Sequence, residues 1–499
     1  MNMKIKTNCL TLILSLVALP LCAAEDIFAP PNFPLPTFPS RTYNVKDFGA
    51  TGGGVVNDTP AIDKAIAKCN ADGGGSVIFP AGRYAAGSIH LMSNVRLLLD
   101  QNAVIFGLAG AFEPAEPNRF DKYQDFGHSH FHDSLLYGED VTNVAIVGGK
   151  IDGGSIVHGT PKTGNGDKLI TVVNGKNLDF ESITHEKGGH FVYLLNDCVG
   201  VTLDGVVIKE SRDAVDLMGC SDVQIHDCNF TGCGDDTIGV KSDYALGRRI
   251  NSANIYVWDS YFESGCNGLQ FGSETAGNFT NCNFWNIRIG KAHKAGIGIT
   301  SGDSAIVDDV NYSNIVVKGA YCPIYILTWN RLRTGEPGAK VGQIKNVHIE
   351  DVTVTDCGGP VATQPSVISG WATSPFENIT LENVKIIYTG GETDAMGNLF
   401  PPNPKDYSPH SFGPRPASAF YIRNGKGLTF KNVEFSFETP DARTPLVLDN
   451  VDGVTLDNFK SEKSSGGQTM RLEKVGNLTV ENSPGLKDQN SATVEQGGE

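Results

Sequence analysis

A short pattern recurs along most of the chain: aliphatic, any residue, aliphatic, any residue, then Asn or Asp. It occurs as Val223-Gln-Ile225-His-Asp227, Ile255-Tyr-Val257-Trp-Asp259, Val347-His-Ile349-Glu-Asp351 and Ile379-Thr-Leu381-Glu-Asn383. Later copies are Leu428-Thr-Phe430-Lys-Asn432, Val454-Thr-Leu456-Asp-Asn458 and Leu478-Thr-Val480-Glu-Asn482. Spacings run from 22 residues (Val201 to Val223) to 49 (Ile379 to Leu428). Alternation of this kind gives a strand with one apolar face, and a strand so short cannot bury that face alone. Stacked coils can, and repeats of this length mark a solenoid. With no helical period between the copies, the expected fold is all-β: a right-handed parallel β-helix whose Asn, Asp and Gly residues make the bends. One helix is expected, as an N-terminal cap. Ile62, Ala65, Ile66 and Cys69 recur at helical spacing, Thr59 is the expected N-cap, Pro60 sits in the first turn and Gly73-Gly74-Gly75 ends it.

The pattern implies one solenoid over residues 41–485, with a long Pro/Gly/Asn-rich loop at 390–416 and a polar C-terminal tail at 486–499. Residues 25–40 are proline-rich and read as an arm or linker on the surface. Residues 1–24 read as a secretory signal peptide: Lys4 and Lys6, an apolar run from Leu10 to Leu21, then Cys22-Ala23-Ala24. The expected location is therefore secreted or periplasmic. No other stretch is apolar for the roughly 18 residues that a membrane-spanning helix needs. The net charge is −16, and no dense Lys/Arg run is present. That excludes a duplex nucleic-acid binder and disfavours an anionic membrane surface. Nine of the 11 cysteines remain after the leader; they read as buried thiols, with Cys228–Cys233 as one candidate disulfide.

Each coil carries a second strand, and these hold the chemistry. Aligning Val192, Val215, Ile238, Leu269, Ile297 and Ile324 as inward residues gives an outward column of Tyr193, Asp216, Gly239, Gln270, Gly298 and Tyr325. Lys241 and Thr300 fall in the column two residues on, and His190, Asp213, Asp236 and Asn267 stand at the strand entrances. Adjacent coils stack about 4.8 Å apart. Asp213, Asp235 and Asp236 are therefore expected to converge. Like charges so close favour retention of a proton, which suits a general acid beside a general base, the requirement of glycoside hydrolysis. Clustered carboxylates also fit calcium. Two further readings remain open: a β-helix polysaccharide lyase, and a non-catalytic carbohydrate-binding solenoid.

Tyr43 to Ala50, the segment GGGSVIFPAGR at 73–83 and the 213–241 segment resemble the polygalacturonase family, glycoside hydrolase family 28. The resemblance implies that Asp235 is the general acid, that Asp213 and Asp236 hold and activate water, and that the reaction inverts the anomeric centre. The family's Asn-Thr-Asp is here Ser211-Arg212-Asp213, its Gly-His-Gly is Cys266-Asn267-Gly268, and its Arg-Ile-Lys is Gly298-Ile299-Thr300. The acids are kept, while the cations that grip a sugar carboxylate are lost. A Gly and a Thr cannot make bidentate, charge-assisted bonds. The expected activity is hydrolysis of a glycosidic bond in a plant or algal pectin- or galactan-type polysaccharide.

Substrate contacts are expected from Asp216, Asn267, Gln270, Lys241, Thr300, Arg212, His190 and Tyr193, with Tyr325 and Trp329 as sugar-stacking platforms. Lys291 and Lys294 are further candidate cations, and His185 and Glu186 candidate groove residues. His128, His130 and His132 would share one face of a strand, but their segment reads as a loop. No metal and no cofactor is expected; the 390–416 loop is expected to wall one end of the cleft.

Overall fold

The computed structural model describes residues 27–124, 127–154, 156, 167–358, 364–396 and 399–498. The expected leader lies outside them. The described chain winds into a parallel β-helix: Phe191–Asn196 pairs in parallel with Asp213–Met218, which pairs with Ile238–Ser242, which pairs with Leu269–Thr275. The pairing partners are the same face of successive coils, so each coil buries its aliphatics on those of its neighbours. One continuous core results, from Val45 to Val480.

The recurring Asn/Asp position has a conformational cause. Asp227, Asp259, Asp351, Asn383, Asn432, Asn458 and Asn482 all adopt left-handed backbone, with φ between 47 and 55°. Asn and Asp tolerate that region better than other residues with a side chain. Their side chains also stack along the solenoid: Asn432 Nδ2 donates to Asn383 Oδ1 at 2.9 Å, and Asn458 Nδ2 to Asn432 Oδ1 at 2.8 Å.

The capping helix spans Thr59–Ala71 and buries Ala61, Ile62, Ala65, Ile66 and Cys69. Its N-cap is Asp58, one residue earlier than expected, because Thr59 Oγ1 instead accepts from Gly87 N. At the other end the polar residues expected to form a tail add a strand: Gln489–Gly498 pairs antiparallel with Met470–Glu481. No helix among the described residues is long and apolar enough to cross a membrane. The nine described cysteines are all free and buried, so the Cys228–Cys233 disulfide does not form.

In one strand the register departs from expectation. Tyr193, not Val192, pairs with Val215, and Leu194 pairs with Asp216. Tyr193 therefore points inward, where its hydroxyl meets His185 Nε2 at 2.7 Å, and Leu194 takes the outward position. Neither Tyr193 nor His185 reaches a groove. Glu186 lies on the surface between Lys150 and Lys209.

Candidate active site

The strand entrances bring the carboxylates together as the coil spacing requires. Ala214 N donates to Asp236 O at 3.0 Å and Thr237 N to Asn267 O at 3.3 Å, so Asp213, Asp236 and Asn267 stand on successive coils. Asp235 stacks beside them, its N–H donating to Arg212 O at 2.8 Å. All three aspartates line one cleft of about 330 Å³. Asp213 and Asp236 are 1% and 4% exposed, while the Asp235 side chain is 26% exposed. The cleft thus has one solvent-facing carboxyl in front of two sunken ones.

Arg212, expected to contact substrate, bridges two of these acids: Nη1 lies 3.0 Å from Asp213 Oδ2 and Nη2 3.1 Å from Asp235 Oδ2. His190 stands behind it, with Nε2 3.3 Å from Arg212 Nη1. Asn267 also acts through another group. It donates to Asp236 Oδ1 from Nδ2 at 2.8 Å and from its backbone N–H at 3.2 Å. Burial pushes Asp213 well above the usual carboxylate range, helped by Asp235 and Asp216 and opposed by Arg212. Burial, then the charge of Asp235, also raises Asp236, against Lys241 and Lys294.

Lys241 is not free to grip a sugar. Its Nζ lies 2.9 Å from Asp216 Oδ2, and His128 Nε2 reaches the same oxygen at 2.9 Å. Burial raises Asp216, but Lys241 and His128 outweigh it and hold the carboxyl at about 2. Burial lowers Lys241, and Asp216, Asp213, Glu274 and Asp236 more than restore it, so the ammonium stays charged well above its ordinary range. Gly239 makes room for this cluster: a Cβ there would overlap Asp216 Oδ1 and Lys241 Cε.

Several expected contacts turn out to be internal. Gln270 leans over Gly298, where a Cβ would overlap its Oε1, so an amide fills the place of the missing cation. Thr300 is buried and its Oγ1 donates to Phe271 O at 2.8 Å. Tyr325 is sealed beneath Phe412 of the long loop and offers no sugar platform. Trp329 does line the cleft, with the Arg331 guanidinium carbon 5.0 Å from its ring centroid. Lys294 donates to Tyr407 Oη at 2.8 Å, and Lys291 is exposed with no place in the cleft lining.

The three histidines of the 128–132 segment do not converge. His128 enters the cleft, His130 Nδ1 meets Glu116 O at 2.7 Å, and His132 packs on Tyr137. His128 is thus a site residue that its sequence spacing did not reveal as one. Glu274, Arg331 and the loop residues Lys405, Asp406 and Tyr407 also line the cleft. Glu274 sits 3.9 Å from His128 Nδ1 and 3.6 Å from Arg333 Nη2. The signal for Glu274 was its place near the exit of the Leu269–Thr275 strand.

A β-helix with acids gathered on one face of a polar cleft fits a carbohydrate-active enzyme. Comparison with known proteins narrows it. Residues 112–404 match the sequence model of the glycosyl hydrolases family 28, and the chain belongs to that family. An endo-polygalacturonase from Pectobacterium parmentieri is 27% identical over 382 residues, covering 70% of this chain and 88% of that one. The solved polygalacturonase from Erwinia carotovora ssp. carotovora has a TM-score of 0.58 at 25% identity, over 71% of this chain and 95% of that one. The family 28 exopolygalacturonase of Yersinia enterocolitica shares the fold, with a TM-score of 0.64 at 17% identity, over 84% and 79% of the two chains. The protein is a polygalacturonase-family glycosidase.

Proposed function

We propose that the cleft hydrolyses a glycosidic bond in a pectin- or galactan-type polysaccharide, outside the cytoplasm, with inversion. The observation that carries the reading is the arrangement of the three aspartates: Asp235 faces solvent while Asp213 and Asp236 lie buried behind it. In this reading Asp235 protonates the leaving oxygen, and Asp213 and Asp236 hold and activate a water. Water activation needs an ionised carboxylate. Burial favours the protonated form of both Asp213 and Asp236, and the cations oppose it, Arg212 at Asp213 and Lys241 and Lys294 at Asp236.

The substrate named for the relatives, polygalacturonate, carries a carboxylate on each sugar. Here the positions of the family's gripping cations are Gly298 and Thr300, and Arg212, Lys241 and Lys294 are engaged with protein groups. That favours a target sugar that needs no bidentate carboxylate grip. A lyase would need a neutral base, and the carboxylates around Lys241, the one lysine expected to serve as that base, favour its protonated form. The leader read at residues 1–24 supports secretion; N-terminal sequencing of the mature protein should begin near Glu25.

The test is turnover on a panel of pectic and algal polysaccharides, with reducing ends and product masses as the readout. Asp235→Asn should lower kcat by about 10²–10⁴-fold, the usual share of a general acid. Turnover at the wild-type rate would sink the assignment, and an unsaturated product absorbing in the ultraviolet would replace it with a lyase.

A further inference from the structure

A polymer bound mid-chain needs open surface on both sides of the cleaved bond. On a β-helix that surface is the outward column of the sheet carrying the acids, which here can be followed from coil to coil. On the N-terminal side of the site the column is Tyr137, Thr171 and Leu194. Thr171 and Leu194 are wholly buried. Phe131 packs over Tyr137, Phe191, Leu194 and Met218, and the segment carrying it is tied down by Asn118, whose Nδ2 donates to Ser129 O and Ala245 O, each at 3.0 Å.

On the C-terminal side the column continues through Tyr325, Val367, Tyr421 and Val447. All four are 1% exposed or less. Their cover is Phe412, at ring distances of 6.4 Å from Tyr325 and 5.9 Å from Tyr421. This wall is fixed by buried arginines: Arg415 Nη2 donates to Pro409 O at 2.6 Å, while Arg423 bonds Ser369 Oγ and the carbonyl of Pro401. The two walls meet the same space. His128 from one and Lys405, Asp406 and Tyr407 from the other line the same 330 Å³ cleft as the aspartates. That volume is at the small end for a ligand pocket.

We infer that the site is a pocket for the end of a chain, and that the enzyme acts in exo fashion, releasing a unit of fixed size from one terminus. The proposal rests on the hydrolase reading above and adds the part of the substrate that is recognised. The reaction is ordinary hydrolysis: water attacks the anomeric carbon, the glycosidic C–O bond breaks, the leaving oxygen takes a proton from an acid, and the water gives its proton to a carboxylate.

The test uses homogalacturonan, rhamnogalacturonan and β-1,4-galactan, each as polymer and as hexasaccharide labelled at the reducing end. Exo action shortens the labelled ladder from one end only, gives one product size from the earliest time points, and leaves polymer viscosity high while reducing ends accumulate. A spread of product sizes with early loss of viscosity overturns the chain-end proposal and leaves the hydrolase reading intact. No product from any substrate overturns both. Phe412→Ala and Arg423→Ala, which loosen one wall at residues outside the cleft lining, should add mid-chain products. If either variant fails to fold, the wild-type product series still decides.

Discussion

Arg212 touches two of the three cleft aspartates, and its effect on Asp213 has a definite sign. Burial raises the Asp213 carboxyl and the guanidinium opposes that rise. Arg212→Gln removes the opposition, so Asp213 should hold its proton to still higher pH. If ionised Asp213 is the water-activating base, the acid limb of the kcat/KM profile moves to higher pH and the plateau falls. A limb that stays in place would show that it reports another group. Gly298 invites a second test at this scale. A methyl there overlaps the buried Gln270 amide. Gly298→Ala should therefore cost about 1–3 kcal/mol in denaturant unfolding, as overpacking does. Most of that cost should vanish when combined with Gln270→Ala, since the two sites share one contact.

The proline-rich arm is an element with a definite course. Phe28 meets Trp285 at 6.2 Å, Phe33 meets Tyr256 at 5.8 Å, and Phe38 receives the Arg96 guanidinium at 5.5 Å. The arm therefore runs back across the coils that lie between Trp285 and Arg96. Beneath it Trp258 and Trp285 stack 4.9 Å apart with planes 4° from parallel, and each is under 8% exposed. Deleting residues 27–38 should expose these indoles, shift their fluorescence to the red and lower Tm, at on the order of 1 kcal/mol for each partly buried phenylalanine. Activity per folded molecule should not change, because the arm lies away from the cleft. The strands themselves were legible because a period of two with Asn or Asp at the bend has few other solutions. The exception is instructive. Phe191-Val-Tyr-Leu-Leu195 is apolar at every position. Alternation then cannot choose a register, and a slip of one residue sends Tyr193 to the core. The convergence of Asp213, Asp235 and Asp236 was also legible, since coil stacking alone demands it. His128, Lys405 and Tyr407 were not: they reach the cleft from loops whose path depends on packing between segments far apart in sequence.

A solenoid is stabilised by contacts between neighbouring coils, so its ends need covers that its middle does not. The helix Thr59–Ala71 covers one end with its buried alanine and isoleucine face. The other end is covered by Gln489–Gly498, whose antiparallel pairing occupies the last edge, from Arg471 to Val480. Beneath this strand Leu472, Val475, Leu478 and Val480 are all 3% exposed or less, and Leu486 and Val494 pack against the same core. The covering strand is itself largely exposed and made mostly of Gln, Asn, Ser, Thr and Gly. A polar edge of this kind resists pairing with a second molecule, whereas the edge it hides is long and backed by apolar side chains. Removing residues 486–499 would uncover that edge without touching the acids more than 200 residues earlier in the chain. The truncated protein should keep its turnover per folded molecule at low concentration, yet self-associate as concentration rises, read as a growing mass in size-exclusion chromatography with light scattering. A truncated protein that stays monomeric at high concentration would show that the strand does not guard the edge. Loss of turnover in monomeric truncated protein would instead show that the last coils support the cleft through the body of the solenoid.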